Sequence, residues 1–195
     1  YSNAIRLFPN NKDAYFERGR IYSYDNQYAL AKHDFEKAIE IDPDEPIYYS
    51  EMGDLLNNNH EYGKALDYLD KAILLKSDFA PALSNRGITN FNLGNIEQAM
   101  SDFDAAIMYD SSFSKAYSNR GYFWAAQQKY DLAIQDFSKA ISLNPSDFLS
   151  YVNRGNVYYQ INERELACKD WQTALDLNFM PVKAPWLYQY YKIHD

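Results

Sequence analysis

Four aspartates in this sequence each follow an arginine by sixteen residues, and these side chains are the best suited to chemistry. A carboxylate beside a cation can act in acid–base catalysis, but the same pair can also join two segments of a fold. Because the pairing recurs four times, and because a planar guanidinium can engage a carboxylate through two hydrogen bonds, we interpret it as structural. The predicted, partly buried ion pairs are Arg18–Asp34, Arg86–Asp102, Arg120–Asp136 and Arg154–Asp170.

The histidines and the cysteine offer little further chemistry. His33, His60 and His194 are isolated in the sequence, and the single Cys168 cannot form an intrachain disulfide or a cysteine-rich zinc site. The sequence also lacks the glycine-rich motif with a lysine that cradles phosphate groups. We therefore predict a protein that is not an enzyme and that has no catalytic residues, metal ions or cofactors.

The Arg and Asp positions belong to a repeat of 34 residues that extends through most of the chain. Alanine occupies positions 20 and 27 of five successive blocks, and bulky side chains occupy positions 4 and 24. Apolar residues recur at intervals of three, four and seven in each half block, which is typical of amphipathic helices. Each block is therefore predicted to form two antiparallel helices, giving an all-α fold. Glycine occupies position 8 of every block, as Gly19, Gly53, Gly87, Gly121 and Gly155.

The repeat boundaries define the predicted organisation of the chain. Residues 1–11 have the pattern of the end of a truncated preceding repeat, and residues 182–195 are predicted to be a C-terminal capping segment. The residue two positions before each block is predicted to be a helix N-cap, as Asn10, Asp44, Asp78, Ser112 and Ser146. The five blocks are 12–45, 46–79, 80–113, 114–147 and 148–181.

This pattern of small and aromatic positions resembles the tetratricopeptide repeat family. Residues 117–121 (Tyr-Ser-Asn-Arg-Gly) and 136–141 (Asp-Phe-Ser-Lys-Ala-Ile) resemble its bacterial-type members. Asn90 departs from the pattern, because the other blocks have a large side chain at its position. The resemblance implies a right-handed α-α superhelix, a solenoid whose first helices line a concave groove, and a role in binding other proteins.

Asparagine recurs at position 6 of the last three blocks, and this series resembles the asparagine ladder in the repeats of O-linked N-acetylglucosamine transferases. An amide offers both a donor and an acceptor, so it can bind the backbone of an extended peptide. Blocks one and two have carboxylates there and are expected to favour a basic segment. The residues with which cochaperone members clamp an acidic tail are absent from the corresponding positions. The predicted groove residues are Glu17, Arg20, Glu51, Asn85, Phe91, Lys115, Asn119, Tyr122, Asn153, Asn156 and Tyr159.

Charge narrows the class of partner. The net charge of −8 has the wrong sign for binding phosphate backbones, and no apolar run is long enough to span a bilayer. We predict a non-catalytic scaffold whose concave groove binds an extended peptide or a helix of a partner protein, without nucleic acid or membrane insertion. The alternative is a substrate-recruiting arm of a larger, glycosyltransferase-like enzyme. Self-association through the truncated N-terminal end is a further expectation.

A cytoplasmic location is favoured, and export remains an alternative because the native N-terminus is not seen.

Overall fold

A computed structural model describes residues 1–177 of the chain. These residues form eleven helices and no strand, so the all-α prediction is confirmed. The predicted capping segment, residues 182–195, and the last four residues of the fifth block lie outside the described range. The helices are α1 (Ser2–Leu7), α2 (Lys12–Tyr24), α3 (Tyr28–Ile41), α4 (Pro46–Asn58), α5 (Tyr62–Leu75), α6 (Ala80–Asn92), α7 (Ile96–Tyr109), α8 (Ser114–Ala126), α9 (Tyr130–Leu143), α10 (Phe148–Gln160) and α11 (Arg164–Asp176).

The chain forms two compact units, residues 1–111 and the segment from residue 112 onward. In the first unit, α2 packs on α3, α4 on α5 and α6 on α7, and successive pairs stack through α3 on α4, α5 on α6 and α4 on α6. In the second unit, α8 packs on α9, α10 packs on α11, and α10 contacts both helices of the preceding pair. Each first helix of a pair begins at the first residue of a 34-residue block.

The glycine at position 8 permits the close packing of each helix pair. A Cβ added to Gly53 would lie 2.5 Å from Leu69 Cγ, and one added to Gly87 would lie 2.5 Å from Phe103 Cε1. At Gly155 the same atom would lie 2.7 Å from the Trp171 ring. Carbon atoms do not approach so closely without displacement, so the bulky residue at position 24 fits only against a bare backbone. The alanines at positions 20 and 27 are fully buried in all five pairs.

Three residues join the two helices of every pair, and the middle one has a left-handed backbone. Its φ angle lies between 58° and 83° in all five turns. Only Gly94 adopts this conformation without the steric cost that a Cβ imposes, although asparagine tolerates it better than most residues. The turn residues with positive φ are Asn26, His60, Gly94, Gln128 and Asn162.

The predicted N-caps are wrong by one residue. Asn10, Asp44, Asp78, Ser112 and Ser146 lie in turns, and the extended residue that precedes each first helix follows them. Two of the actual N-caps use their side chains, since Asn11 Oδ1 accepts from the Ala14 amide at 2.9 Å and Asp147 Oδ1 accepts from the Leu149 amide at 3.2 Å. In α4 and α6 a proline at the first or second helical position replaces an amide donor, as Pro46 and Pro81 do.

Within residues 1–177, no helix combines the length and the apolar character required to cross a membrane.

Candidate functional site

The four arginines of position 7 all donate two hydrogen bonds to the aspartate at position 23 of their own block. The Nε and Nη2 groups of Arg18 lie 2.7 and 2.8 Å from the two Asp34 carboxylate oxygens. The hydrogen bonds to Asp34 and to Asp170 raise the pKa of Arg18 and of Arg154, respectively. The other bidentate pairs have distances of 3.0 and 2.7 Å in Arg86–Asp102, 2.8 and 2.9 Å in Arg120–Asp136, and 2.7 and 2.8 Å in Arg154–Asp170.

Arg18, Arg86 and Arg154 each donate a further hydrogen bond to the helix that directly precedes their own pair in the chain. Arg18 Nη1 donates to Ser2 Oγ at 3.1 Å, and Arg154 Nη1 donates to Ser138 Oγ at 2.8 Å. Arg86 Nη1 donates to Asp70 Oδ1 at 2.7 Å. One guanidinium therefore ties together three helices, which favours a structural over a catalytic use of the aspartates. This contact was not predicted, although a short polar residue lies sixteen positions before each of these arginines in the sequence.

The second and third blocks depart from this arrangement in different ways. In the second, Met52 replaces the arginine and is fully buried, while the ring of Tyr68 lies 6.3 Å from the ring of Tyr49. In the third, Asn90 stands where other blocks have a large side chain. Its Nδ2 donates to Asp102 Oδ2 at 3.0 Å, so the amide joins the ion-pair network. The exceptional Asn90 thus contributes to the packing of its own block.

Tyrosines flank the arginines where the regular pattern holds. The Arg18 guanidinium carbon lies 5.8 Å from the Tyr15 ring centre and 5.7 Å from that of Tyr22. In the fifth block, Arg154 lies 5.8 Å from both Tyr151 and Tyr158. Contacts of a guanidinium with an aromatic face add to the ion pair and restrict its rotamer.

Asn85, the first asparagine of the predicted series, is only 5% exposed. Its Nδ2 lies 3.4 Å from both the carbonyl oxygen and Oγ of Ser50, on the preceding first helix. The backbone carbonyl oxygen of Asn85 accepts from Asn57 Nδ2 at 3.2 Å and from Thr89 Oγ1 at 2.9 Å. The Thr89 hydroxyl also donates to Asn57 Oδ1 at 2.9 Å. The Asn85 amide thus helps to join α4 and α6. No contact was predicted for Ser50, Asn57 or Thr89, because single polar residues on amphipathic helices carry no signal of pairing.

The other predicted residues of the first unit lie on the more accessible side of their helices. Arg20 Nη1 donates to Glu17 Oε1 at 3.3 Å and its guanidinium carbon lies 5.8 Å from the Phe16 ring centre. Glu51 and Phe91 are half-buried. Arg20, the cation among these predicted groove residues, therefore already has a neighbouring carboxylate as its partner.

In the second unit, Asn119 and Asn153 occupy equivalent positions on α8 and α10, and both are half-buried. Ser150 Oγ donates a hydrogen bond of 3.0 Å to Ser118 Oγ and so joins these two helices. Ser118 directly precedes Asn119, and Ser150 lies three residues before Asn153. This contact fixes the helices that carry the asparagines, and it was not predicted.

The flanking residues of the second unit differ in their surroundings. Lys115 and Tyr122 are exposed on α8. Asn156 Oδ1 accepts from Trp171 Nε1 at 3.1 Å, so this amide anchors a buried indole. Tyr159 is 42% exposed, and its ring centre lies 5.8 Å from that of Trp171. The face around Asn119 and Asn153 thus combines amides with aromatic surface.

The part of the chain that the structure describes contains no group of three His, Cys, Asp or Glu residues able to hold a metal ion. His60 Nδ1 lies 2.7 Å from the Tyr62 hydroxyl in a turn, and His194 lies outside the described residues.

The chain resembles solved structures along most of its length. It superposes on TTC0263, a thermophilic protein of Thermus thermophilus, with a TM-score of 0.81 and 16% identity over 93% of this chain and 97% of that one. Against pilF of Pseudomonas aeruginosa the TM-score is 0.69 with 22% identity, covering 90% and 80% of the two chains. Against YrrB, described as having an unusual peptide-binding site, it is 0.56 with 20% identity, covering 98% and 96%. These likenesses show the fold.

Three sequence profiles of the tetratricopeptide repeat match the chain. One matches residues 13–45 and 114–147, a second matches 35–67, and a third matches 80–113. No curated protein sequence matches significantly. Because the matched segments span 13–67 and 80–147, more than half of the chain, this protein belongs to the tetratricopeptide repeat family.

Proposed function

We propose that this protein is a non-catalytic scaffold whose first helices bind an extended segment of a partner protein. Family membership supports the general role in protein interaction. The observation that carries the specific proposal is the equivalent placement of Asn119 and Asn153 on the adjacent helices α8 and α10. The flanking Lys115, Tyr122 and Tyr159 supply one cation and two aromatic surfaces for side chains of the bound segment.

The chemistry of the two amides suits a peptide backbone. Each amide has donors and an acceptor, so it can bond to a backbone carbonyl and to a backbone amide whatever the side chains are. Adjacent helices lie about 10 Å apart, and an extended chain covers that distance in about three residues. Asn119 and Asn153 are therefore expected to bond to residues three apart in the partner segment.

The proposed role is non-catalytic because the repeated carboxylates are committed to other contacts. Both oxygens of Asp136 and of Asp170 accept from an arginine, and both side chains are buried. A general base needs a free lone pair within reach of the substrate proton, and these carboxylates lack that access.

A peptide-display experiment with the complete chain tests this proposal. Peptides enriched from a random extended library would be measured by fluorescence anisotropy against Asn119→Ala/Asn153→Ala. The matched control, Gln135→Ala/Gln172→Ala, removes two amides from the exposed sides of the second helices α9 and α11. At about 0.5–1.5 kcal/mol for each hydrogen bond lost, affinity should fall about 5- to 150-fold in the first variant only. Equal affinity for both double variants, or no enriched peptide, would refute the proposal.

A further inference from the structure

The negative charge of this protein is concentrated in its first unit. Residues 1–111 contain ten lysines and arginines against nineteen aspartates and glutamates, whereas residues 112–195 contain nine against eight. The net charge is therefore −9 in the first segment and +1 in the second. A basic ligand is attracted by the field of the first unit, while the second unit contributes little to such attraction.

Acidic and apolar residues share one stripe of α2. Asp13, Glu17, Ile21 and Tyr24 are spaced by four, four and three residues, so they lie along one side of the helix. Ile21 is 48% exposed and Tyr24 is 78% exposed. Carboxylates at one end of this stripe are therefore followed by accessible apolar surface at the other.

The next first helix extends this stripe. Glu51 and Asp54 of α4 lie at the same block positions as Glu17 and Arg20 of α2, and the two helices contact each other. We call the combined surface the acidic face, and it consists of Asp13, Glu17, Ile21, Tyr24, Glu51 and Asp54.

Other carboxylates of the unit hold several of the nearby cations. Lys12, which neighbours Asp13 in sequence, is bonded to Asp42. Arg18 is held by Asp34, and Lys37 Nζ lies 2.6 Å from Glu40 Oε2. Arg20, beside the acidic face, is bonded to Glu17.

Tyr48 of α4 contacts the acidic face through Asp13 of α2. Its hydroxyl lies between α4 and α2 and donates to Asp13 Oδ1 at 3.4 Å. Burial raises the pKa of Tyr48 to about 12, and the negative charge of Asp13 contributes to that rise.

We infer that the acidic face binds a basic segment of a partner protein, in which lysines or arginines three residues apart alternate with apolar side chains. The cations would lie beside Glu17 and Glu51, which are one repeat apart, and an apolar side chain would contact Ile21 and Tyr24. One repeat is about 10 Å and corresponds to about three extended residues. This inference rests on the proposed function, because it names the chemical class of the segment that the first helices bind.

The test uses the complete chain and a fluorescein-labelled peptide, Gly-Lys-Ala-Leu-Lys-Ala-Leu-Lys-Gly, in fluorescence anisotropy at low salt. A peptide of the same composition with its three lysines adjacent controls for spacing, and a peptide with glutamine for lysine controls for charge. The wild-type protein is expected to bind the spaced basic peptide about tenfold more tightly than either control, because complementary charges act most strongly in register.

Three protein variants separate the acidic face from the overall charge. Glu17→Gln/Glu51→Gln should weaken binding of the spaced peptide by about tenfold. The matched control Asp67→Asn/Glu97→Gln removes the same charge from exposed sites on α5 and α7 and should change affinity by less than about twofold. Arg20→Gln removes the competing cation and should strengthen binding, an effect opposite in sign that misfolding cannot imitate.

Equal weakening by the two double variants would overturn the inference, since the attraction would then come from net charge alone. Equal affinity for the two lysine peptides would also overturn it. If the basic peptide fails while peptides enriched by display still depend on Asn119 and Asn153, only this inference is wrong. If those peptides are also insensitive to the two asparagines, the proposed function is wrong as well.

Discussion

Removing Arg18 is expected to destabilise the protein strongly, because Asp34 is 1% exposed and has no access to water as a substitute partner. In Arg18→Met, the carboxylate loses two hydrogen bonds of 2.7 and 2.8 Å together with the compensating charge. Breaking a buried pair on one side costs about 3–5 kcal/mol, and we expect about 3 because the arginine side chain is 21% exposed. Asp34→Tyr alone should also destabilise, since it leaves the cation between two helices.

The double variant Arg18→Met/Asp34→Tyr reproduces the combination that the second block contains naturally as Met52 and Tyr68. No unpaired charge remains in it, so much of the loss should be recovered, with a coupling energy of about 2 kcal/mol or more. Urea unfolding followed by circular dichroism gives the four free energies of the cycle.

A matched control uses the exposed pair Lys37–Glu40, whose distance of 2.6 Å is as short but whose side chains are 40% and 68% exposed. Lys37→Met and Glu40→Tyr should combine almost additively, because water solvates either charge when its partner is removed. Strict additivity of the changes at Arg18 and Asp34 would refute the reasoning, because the energy would then not arise from stranding a buried charge.

Three other predictions follow from single residues. Gly87→Ala should destabilise by about 1–3 kcal/mol in urea melts, because its Cβ would lie 2.5 Å from Phe103. Gln128→Gly should raise stability by about 0.5–1 kcal/mol in the same assay, because the φ of 58° carries a steric cost for glutamine. Thermal unfolding between pH 2 and pH 7 should show a contribution from Glu61, whose pKa is lowered from 4.5 to about 2 by hydrogen bonds from Lys64, Tyr28 and Asn59. The contribution of ionised Glu61 to the free energy of unfolding is complete above pH 4.5 and is lost as the pH falls towards 2.

Each of these predictions has a control in the same chain. Gly63 has no atom within 4 Å of an added Cβ, so Gly63→Ala should not destabilise, and a loss equal to that of Gly87→Ala would contradict the packing argument. At the equivalent turn position, Gly94→Ala should lower stability, in contrast to the gain at Gln128. Glu61→Gln should flatten the acid side of the pH profile, and an unchanged slope would show that Glu61 does not contribute.

The buried amide network around Asn85 shows where sequence reasoning reaches its limit. Asn85, Asn119 and Asn153 are indistinguishable in the repeat, yet Asn85 is buried with its Nδ2 against Ser50. The difference depends on which residues of the preceding first helix lie opposite, here Ser50 and Asn57. Its partners lie 28 to 35 residues away in the sequence, and the stacking of α4 on α6 determines which residues these are. A local sequence pattern does not predict how two such helices stack.

The sequence by itself determined the helix pairs, their length and the sites of closest approach, because a fixed spacing of small and bulky residues allows one way to pack two helices. It also placed arginine and aspartate within one block, where a separation of sixteen residues brings the two side chains opposite each other on the paired helices. Only the tertiary structure decided which amides are buried between blocks, such as Asn85 against Ser50. Those contacts depend on the register between neighbouring repeats, which arises from the sum of many weak side-chain contacts and not from any single spacing.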